Sequence, residues 1–186
     1  MEPVALGEGF AAVLAAAQTG AEWAMASLYR QYQPSLLRYL SARAGQDGED
    51  IASAAWLDAA RNLGTFDGGE DHFRRWLFTI ANRRLTDFLR RRSRRSREVL
   101  DEAPDAPAGA SSATADLAIA AIAGDDAARR IAAVLPPDQA AVVLLRVVAG
   151  FSVEEVAEIL ERRPGAIRVM SHRALRRLAE EFGDDV

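Results

Sequence analysis

The sequence has no cysteine and no lysine, only two histidines, and few aromatic residues (7%). Without cysteine there can be no disulfide framework, thiol switch or thiolate metal site. His72 and His172 stand far apart and make a poor metal set, so no metal or other cofactor is expected. Long apolar runs are missing too: the stretch 10–17 is too short to span a bilayer. Glu2 and Glu8 precede it where a signal peptide would carry basic residues, so a cytoplasmic chain without membrane insertion is expected. Strand-forming types are scarce beside abundant alanine, which favours an all-α fold. No nucleophile–base set, metal cluster or phosphate-binding glycine loop is evident, so neither an enzyme nor a small-molecule substrate is expected.

What is present is arginine, unevenly spread. With 186 residues, 49% of them apolar, the chain suits one ordinary domain or two small helical ones. All 23 basic side chains are arginine, and the formal net charge of -4 hides their grouping. Residues 74–97 hold ten arginines against one acid, Asp87, and a second group lies in 162–177. Residues 98–126 carry only acidic charge. Salt screens charges beyond roughly 8–10 Å, so a polyanion responds to these local fields and not to the average. Arginine's planar fork suits bidentate contact with phosphate or guanine, although biased genomic composition explains the missing lysine equally well.

Apolar spacing predicts a short amphipathic helix over 6–18, closed by Gly20, and a second over 21–43 that Pro34 should kink or split. Trp23, Leu28, Tyr32, Leu36, Leu37, Tyr39 and Leu40 are its expected apolar positions. Asp47 is the expected N-cap of a third helix reaching about Leu63, and a long fourth begins near Glu70 or Asp71. Residues 98–124, rich in proline, alanine and acids, read as a flexible linker with a short helix near 117–122. Helices over 125–135 and 138–149 follow. Ser152 and Glu155 then form a capping box, and Pro164 opens the last helix in the first-turn position that proline tolerates.

The pair 152–160 and 164–182 has the proportions of a helix-turn-helix, whose second helix lies in the DNA major groove. Ile167, Ala174 and Leu178 should face inward, leaving Arg168, Val169, His172, Arg173 and Arg176 outside to meet bases and phosphates. On the fourth helix, Trp76, Leu77 and Ile80 read as core and the arginines as a phosphate track, with Asp87 placed to brace Arg83, Arg84, Arg90 and Arg91. Phe66 and His72, beside a glycine-rich loop, divide evenly between core and base contact.

Two stretches carry a resemblance. One is Glu49-Asp50-Ile51 through Leu63, Phe66-Asp67-Gly68, and Phe73-Arg74-Arg75-Trp76-Leu77-Phe78-Thr79-Ile80-Ala81-Asn82-Arg83-Arg84 with Asp87. The other is Leu135-Pro136 through Leu144-Leu145-Arg146, then Gly150-Phe151-Ser152-Val153-Glu154-Glu155-Val156-Ala157, and Gly165-Ala166-Ile167-Arg168 to His172-Arg173-Ala174. Together, in order and with an acidic connector between them, they resemble the extracytoplasmic-function (ECF) group of sigma-70-type sigma factors.

That resemblance implies two small helical domains, a region 2 bundle over 1–97 and a region 4 helix-turn-helix over 125–186, joined by a flexible linker over 98–124. It implies a sigma factor that binds core RNA polymerase and directs initiation at promoter DNA, with an anti-sigma factor as a further partner. Asp50, Ser53, Ala54, Trp56 and Leu57 would meet the polymerase, with Ser53 and Ala54 standing where the family usually has a polar pair. Phe66, His72, Asn82, Arg83, Arg84, Arg90 and Arg91 would serve the -10 element, the loop 64–72 receiving a flipped base. Arg146, Arg168, Val169, His172, Arg173 and Arg176 would serve the -35 element.

A connector of 27 residues reaches about 90 Å extended but averages about 30 Å as a coil, while two such elements lie roughly 50 Å apart. The linker spans them only when held extended, and in the free protein the domains should lie closer. The rival readings are an autonomous operator-binding regulator, which leaves the basic fourth helix without a task, and an adaptor, which does not call for two arginine clusters.

Overall fold

Apolar residues recurring every three to four positions wind the described chain, residues 6–99 and 117–183, into helices in the computed structural model. These are α1 (Phe10–Gln18), α2 (Glu22–Ala44), α3 (Gly48–Asn62), α4 (Glu70–Val99), α5 (Leu117–Val134), α6 (Pro137–Val147), α7 (Val153–Ile159) and α8 (Pro164–Phe182). Short 3-10 turns at Gly7–Gly9, Gly45–Asp47 and Leu63–Thr65 join the first four, and no strand occurs among the described residues. The capping box forms as the sequence implies. Ser152 Oγ accepts from the Glu155 amide at 3.2 Å, and the Glu155 carboxylate accepts from the Ser152 amide at 2.8 Å.

Three local expectations give way to tertiary packing. Pro34 does not split α2, which runs unbroken through it. Leu28, Tyr32, Leu36, Tyr39 and Leu40 are buried on both sides of the proline, and that anchorage outweighs one missing ladder bond. Asp47 occupies the N-cap position of α3 but makes no capping bond, because the preceding 3-10 turn already holds it in helical conformation. Its carboxylate pairs instead with Arg92 at 3.7 Å. Trp23, read as an apolar anchor of α2, is 59% exposed. Helix α4 extends to Val99, and the short helix expected near 117–122 is continuous with the next one, as α5 from Leu117. The remainder of the acidic connector, residues 100–116, lies outside the described residues.

In the first half, α2, α3 and α4 bury Tyr32, Leu36, Tyr39, Ile51, Ala55, Ala59, Phe73, Leu77, Phe78 and Leu85 against one another. In the second, Leu135, Ala140, Val143 and Ala174 form a smaller core where α6 meets α8. The halves do not stand apart. The Phe78 and Phe151 rings meet edge to face at 5.0 Å, and the Arg74 guanidinium lies 4.5 Å from the Phe151 ring centre. Around this joint Arg75 Nε reaches Glu158 at 2.6 Å, Arg83 reaches Glu161 at 2.8 Å, and Arg38 Nε reaches Asp125 at 2.7 Å. Helix α7 is thus seated on α4 and α5 on α2, the closer approach expected of the free protein. No helix among the described residues is long and apolar enough to cross a membrane.

Candidate nucleic-acid interface

Helix α8 presents the face its spacing implies. Ile167 and Ala174 are fully buried and Leu178 packs beside the smaller core, which turns Arg168, Val169, His172, Arg173 and Arg176 to solvent. Val169 is 50% exposed. Arg168 pairs with Glu154 at 2.6 Å and Arg176 with Glu180 at 3.1 Å; both pairs are exposed and easily exchanged for phosphate or base. Arg146 is exposed on α6.

The second surface starts at the loop before α4. Phe66, His72 and Arg83 come together with Asn62, Thr65, Asp67, Trp76 and Ile80 around a cavity of about 480 Å³, within the range of small-ligand sites. Phe66 is both core and wall: its ring lies 4.9 Å from Trp76 and 5.3 Å from exposed His72. Gly68 has φ 153°, and a Cβ there would collide with the His72 imidazole, so the loop needs glycine at that point. One turn further along α4, the Asn82 carbonyl accepts from the Tyr39 hydroxyl at 2.8 Å and from Arg43 at 3.3 Å. Burial pushes the Tyr39 hydroxyl's pKa up, while neighbouring Arg43 pulls it partly back.

The arginines of α4 do not share one role. Arg90 pairs with Asp87 at 3.9 Å, but Arg83 turns to Glu161, and Arg84 Nε to Asp58 at 2.6 Å. Asp87 therefore braces only the turn after it, because carboxylates on α3 and beside α7 reach the earlier arginines first. Arg84 ties α4 to α3, and Arg91 is exposed. On α3, Asp50, Ser53 and Leu57 are exposed, Leu57 at 58%, and Ala54 is half-buried. Trp56 corrects the expectation of a surface contact. It is 6% exposed, donates from Nε1 to Gln33 at 2.8 Å and packs on Tyr29, since an indole on that face of α3 meets α2 before solvent.

Asn82, Arg83 and Arg90 also line a cleft of about 640 Å³ whose opposite wall is Ile159, Leu160, Glu161, Arg162 and Met170. The basic face of α4 thus looks across this gap at the α7–α8 turn, while Arg168, His172, Arg173 and Arg176 lie outside it. Sequence reasoning missed three groups that build the site: Gln18, Glu70 and Arg75. Glu70 was legible as a first-turn acid on α4, yet nothing in the sequence reveals that it binds the Leu6 and Gly7 amides at 2.8 Å each and the Tyr32 hydroxyl at 2.9 Å.

Comparison with known proteins agrees with this geometry. The family model for Sigma-70 region 2 matches residues 28–95, and that for Sigma-70, region 4 matches 125–178. The ECF RNA polymerase sigma factor BldN of Streptomyces coelicolor is 36% identical over 91% of this chain, which spans 64% of that protein's length. The ECF RNA polymerase sigma factor SigD of Mycobacterium bovis is 31% identical, covering 95% of this chain and 85% of its own. The sigma factor RpoE of Bartonella quintana, solved in complex with the anti-sigma factor NepR, shares the fold with a TM-score of 0.63. That match has 24% identity and covers 87% of this chain and 98% of the other. A helix-turn-helix with an arginine face, a basic α4 beside a cavity-forming loop, and relatives of this kind along nearly its whole length show that the chain belongs to the ECF group of sigma-70 RNA polymerase sigma factors.

Proposed function

We propose that this chain binds core RNA polymerase in the cytoplasm and selects promoters by two contacts, with no enzymatic step of its own. The single observation that carries the reading is the outward row Arg168, Val169, His172, Arg173 and Arg176 on a helix whose other face is fully buried. That row, with Arg146, reads the -35 element in the major groove. Residues 1–97 act as the -10 module and 125–186 as the -35 module, with 98–124 between them. Phe66, His72, Asn82 and Arg83 take up the opened -10 strand, and Arg84, Arg90 and Arg91 hold its backbone. Strand opening costs a few kcal/mol for each unstacked base, and a cavity that accepts one base repays part of that. Asp50, Ser53, Ala54 and Leu57 on α3 form the polymerase contact. An anti-sigma factor is the expected inhibitor, as one partners the Bartonella protein.

The test is transcription in vitro from genomic promoter fragments with core polymerase. Specific initiation that vanishes without this protein supports the reading; tight operator binding without polymerase favours an autonomous regulator instead. Arg168→Ala should weaken -35-dependent initiation roughly tenfold, one good base contact, and leave polymerase binding intact. Equal loss of both would remove Arg168 from the role.

The same reading requires the halves to part, because elements about 50 Å apart are too distant for two small modules packed on one another through Phe78 and Phe151. Glu158→Arg sets like charge beside Arg75, and Glu161→Gly removes the partner of Arg83 while relieving a non-glycine φ of 53°. The doubly substituted protein should show a radius of gyration above the about 16 Å of a compact chain this long, with transcription retained. Small-angle scattering checks this, and an unchanged radius would show that these pairs do not hold the halves together.

A further inference from the structure

Helix α1 lies outside the stretch matched by the region 2 family model, which begins at residue 28. Nevertheless it brackets the loop that forms the cavity. At its C-terminal end the Gln18 side-chain amide donates both its N–H groups to that loop, to the Phe66 carbonyl at 2.7 Å and the Leu63 carbonyl at 3.1 Å. At the other end, the Leu6 and Gly7 amides are bound by Glu70, the first residue of α4, where the loop finishes. The Phe10 ring fills the space between, 5.7 Å from Phe73, which in turn meets Phe66 edge-on at 5.6 Å. The segment therefore grips the loop at its entry, its exit and its buried aromatic centre.

We infer that Gln18 is a positioning residue for promoter opening: it fixes the Phe66 backbone so that the cavity is already shaped for an unstacked base of the -10 strand. This rests on the reading of loop 64–72 as the base-receiving loop. A side chain's two donors on two carbonyls of one turn set that turn's orientation without touching DNA. The carbonyls are also the feature that makes the position sensitive, because Phe66 and Leu63 expose oxygens that only a donor can meet. A preshaped pocket spares the ordering that a loose loop would undergo when the base enters.

Gln18→Glu keeps the shape and replaces the donor with an oxygen facing two oxygens; Gln18→Met keeps the length without charge. Each is assembled with core polymerase on a promoter selected by the wild-type holoenzyme from random duplex DNA. Open-complex formation is read by permanganate reactivity, on the intact promoter and on copies carrying a single abasic site at each -10 non-template position in turn. In the wild type one abasic position should cost opening strongly. Gln18→Glu should lose roughly tenfold on the intact promoter and nothing further at that abasic position, since an empty pocket needs no shaping. Gln18→Met should lose less, with polymerase binding unchanged for both. Equal losses on intact and abasic promoters, or no loss at all, would overturn the role of Gln18. If no abasic position matters even in the wild type, the base-receiving loop itself is wrong, and the inference falls with it.

Discussion

Phe78→Ala is expected to lower the melting temperature by roughly 6–20 °C, the largest effect of any single truncation considered in this chain. The ring is fully buried where the two halves meet, 5.9 Å from Tyr39 in the first half and 5.0 Å from Phe151 in the second. Removing it leaves a void with walls on both sides, one on α2 and one on the turn that leads into α7, each anchored separately, so little collapse can follow. Truncations of this kind cost about 3–5 kcal/mol, against about 5–15 kcal/mol for a whole domain. Phe88, further along α4 and half-buried, is the natural control and should cost clearly less when truncated. Calorimetry tests this, and also shows whether the truncated protein melts in two steps as the halves uncouple. Equal shifts for Phe78 and Phe88 would mean that the joint contributes nothing special.

That joint marks the boundary of what the sequence discloses. Local rules locate the helices well, because the signals are short in range: the Ser152–Glu155 box, Pro164 in a first turn, and the spacing of Ile167, Ala174 and Leu178. The outward face of α8 follows from that spacing alone. Partner choice does not. Asp87 is correctly placed for four arginines, yet Asp58 and Glu161 take two of them, and only the packing of α3 and α7 on α4 brings those carboxylates near. Trp56 and Trp23 part ways for a similar reason: the first is buried as its spacing on the third helix implies, the second is not. Both fit an apolar helical stripe, but α2 and α3 face one another through only one of them. Gln18 looked like the mere end of a helix, since its two acceptors lie more than forty residues away in sequence.

Above about pH 10 the fold should lose stability steadily as the pH rises. The cause is Tyr32 and Tyr39. Burial raises the pKa of both, and Tyr32 is raised further because its hydroxyl donates to the Glu70 carboxylate, so that a phenolate there would face a second negative charge. In the unfolded chain each ionises near its ordinary value of about 10, while in the fold each keeps its proton to higher pH. A raised folded pKa leaves stability whole below the unfolded value and erodes it above, at about 1.4 kcal/mol per pH unit for each tyrosine. This chain shows the effect cleanly, because all 23 of its basic side chains are arginine, which stays charged through the window, and it has neither lysine nor cysteine to titrate alongside. Denaturant unfolding at stepped pH gives the slope. The Tyr32→Phe, Tyr39→Phe protein should start about 1–3 kcal/mol less stable at neutral pH, having lost two buried hydroxyl contacts, yet hold that stability far better above pH 10. Should the slope persist in that variant, the alkaline limit lies elsewhere. Should it vanish, the hydroxyls that brace Glu70 beneath the loop and Asn82 on α4 also set the pH at which the proposed -10 surface comes apart.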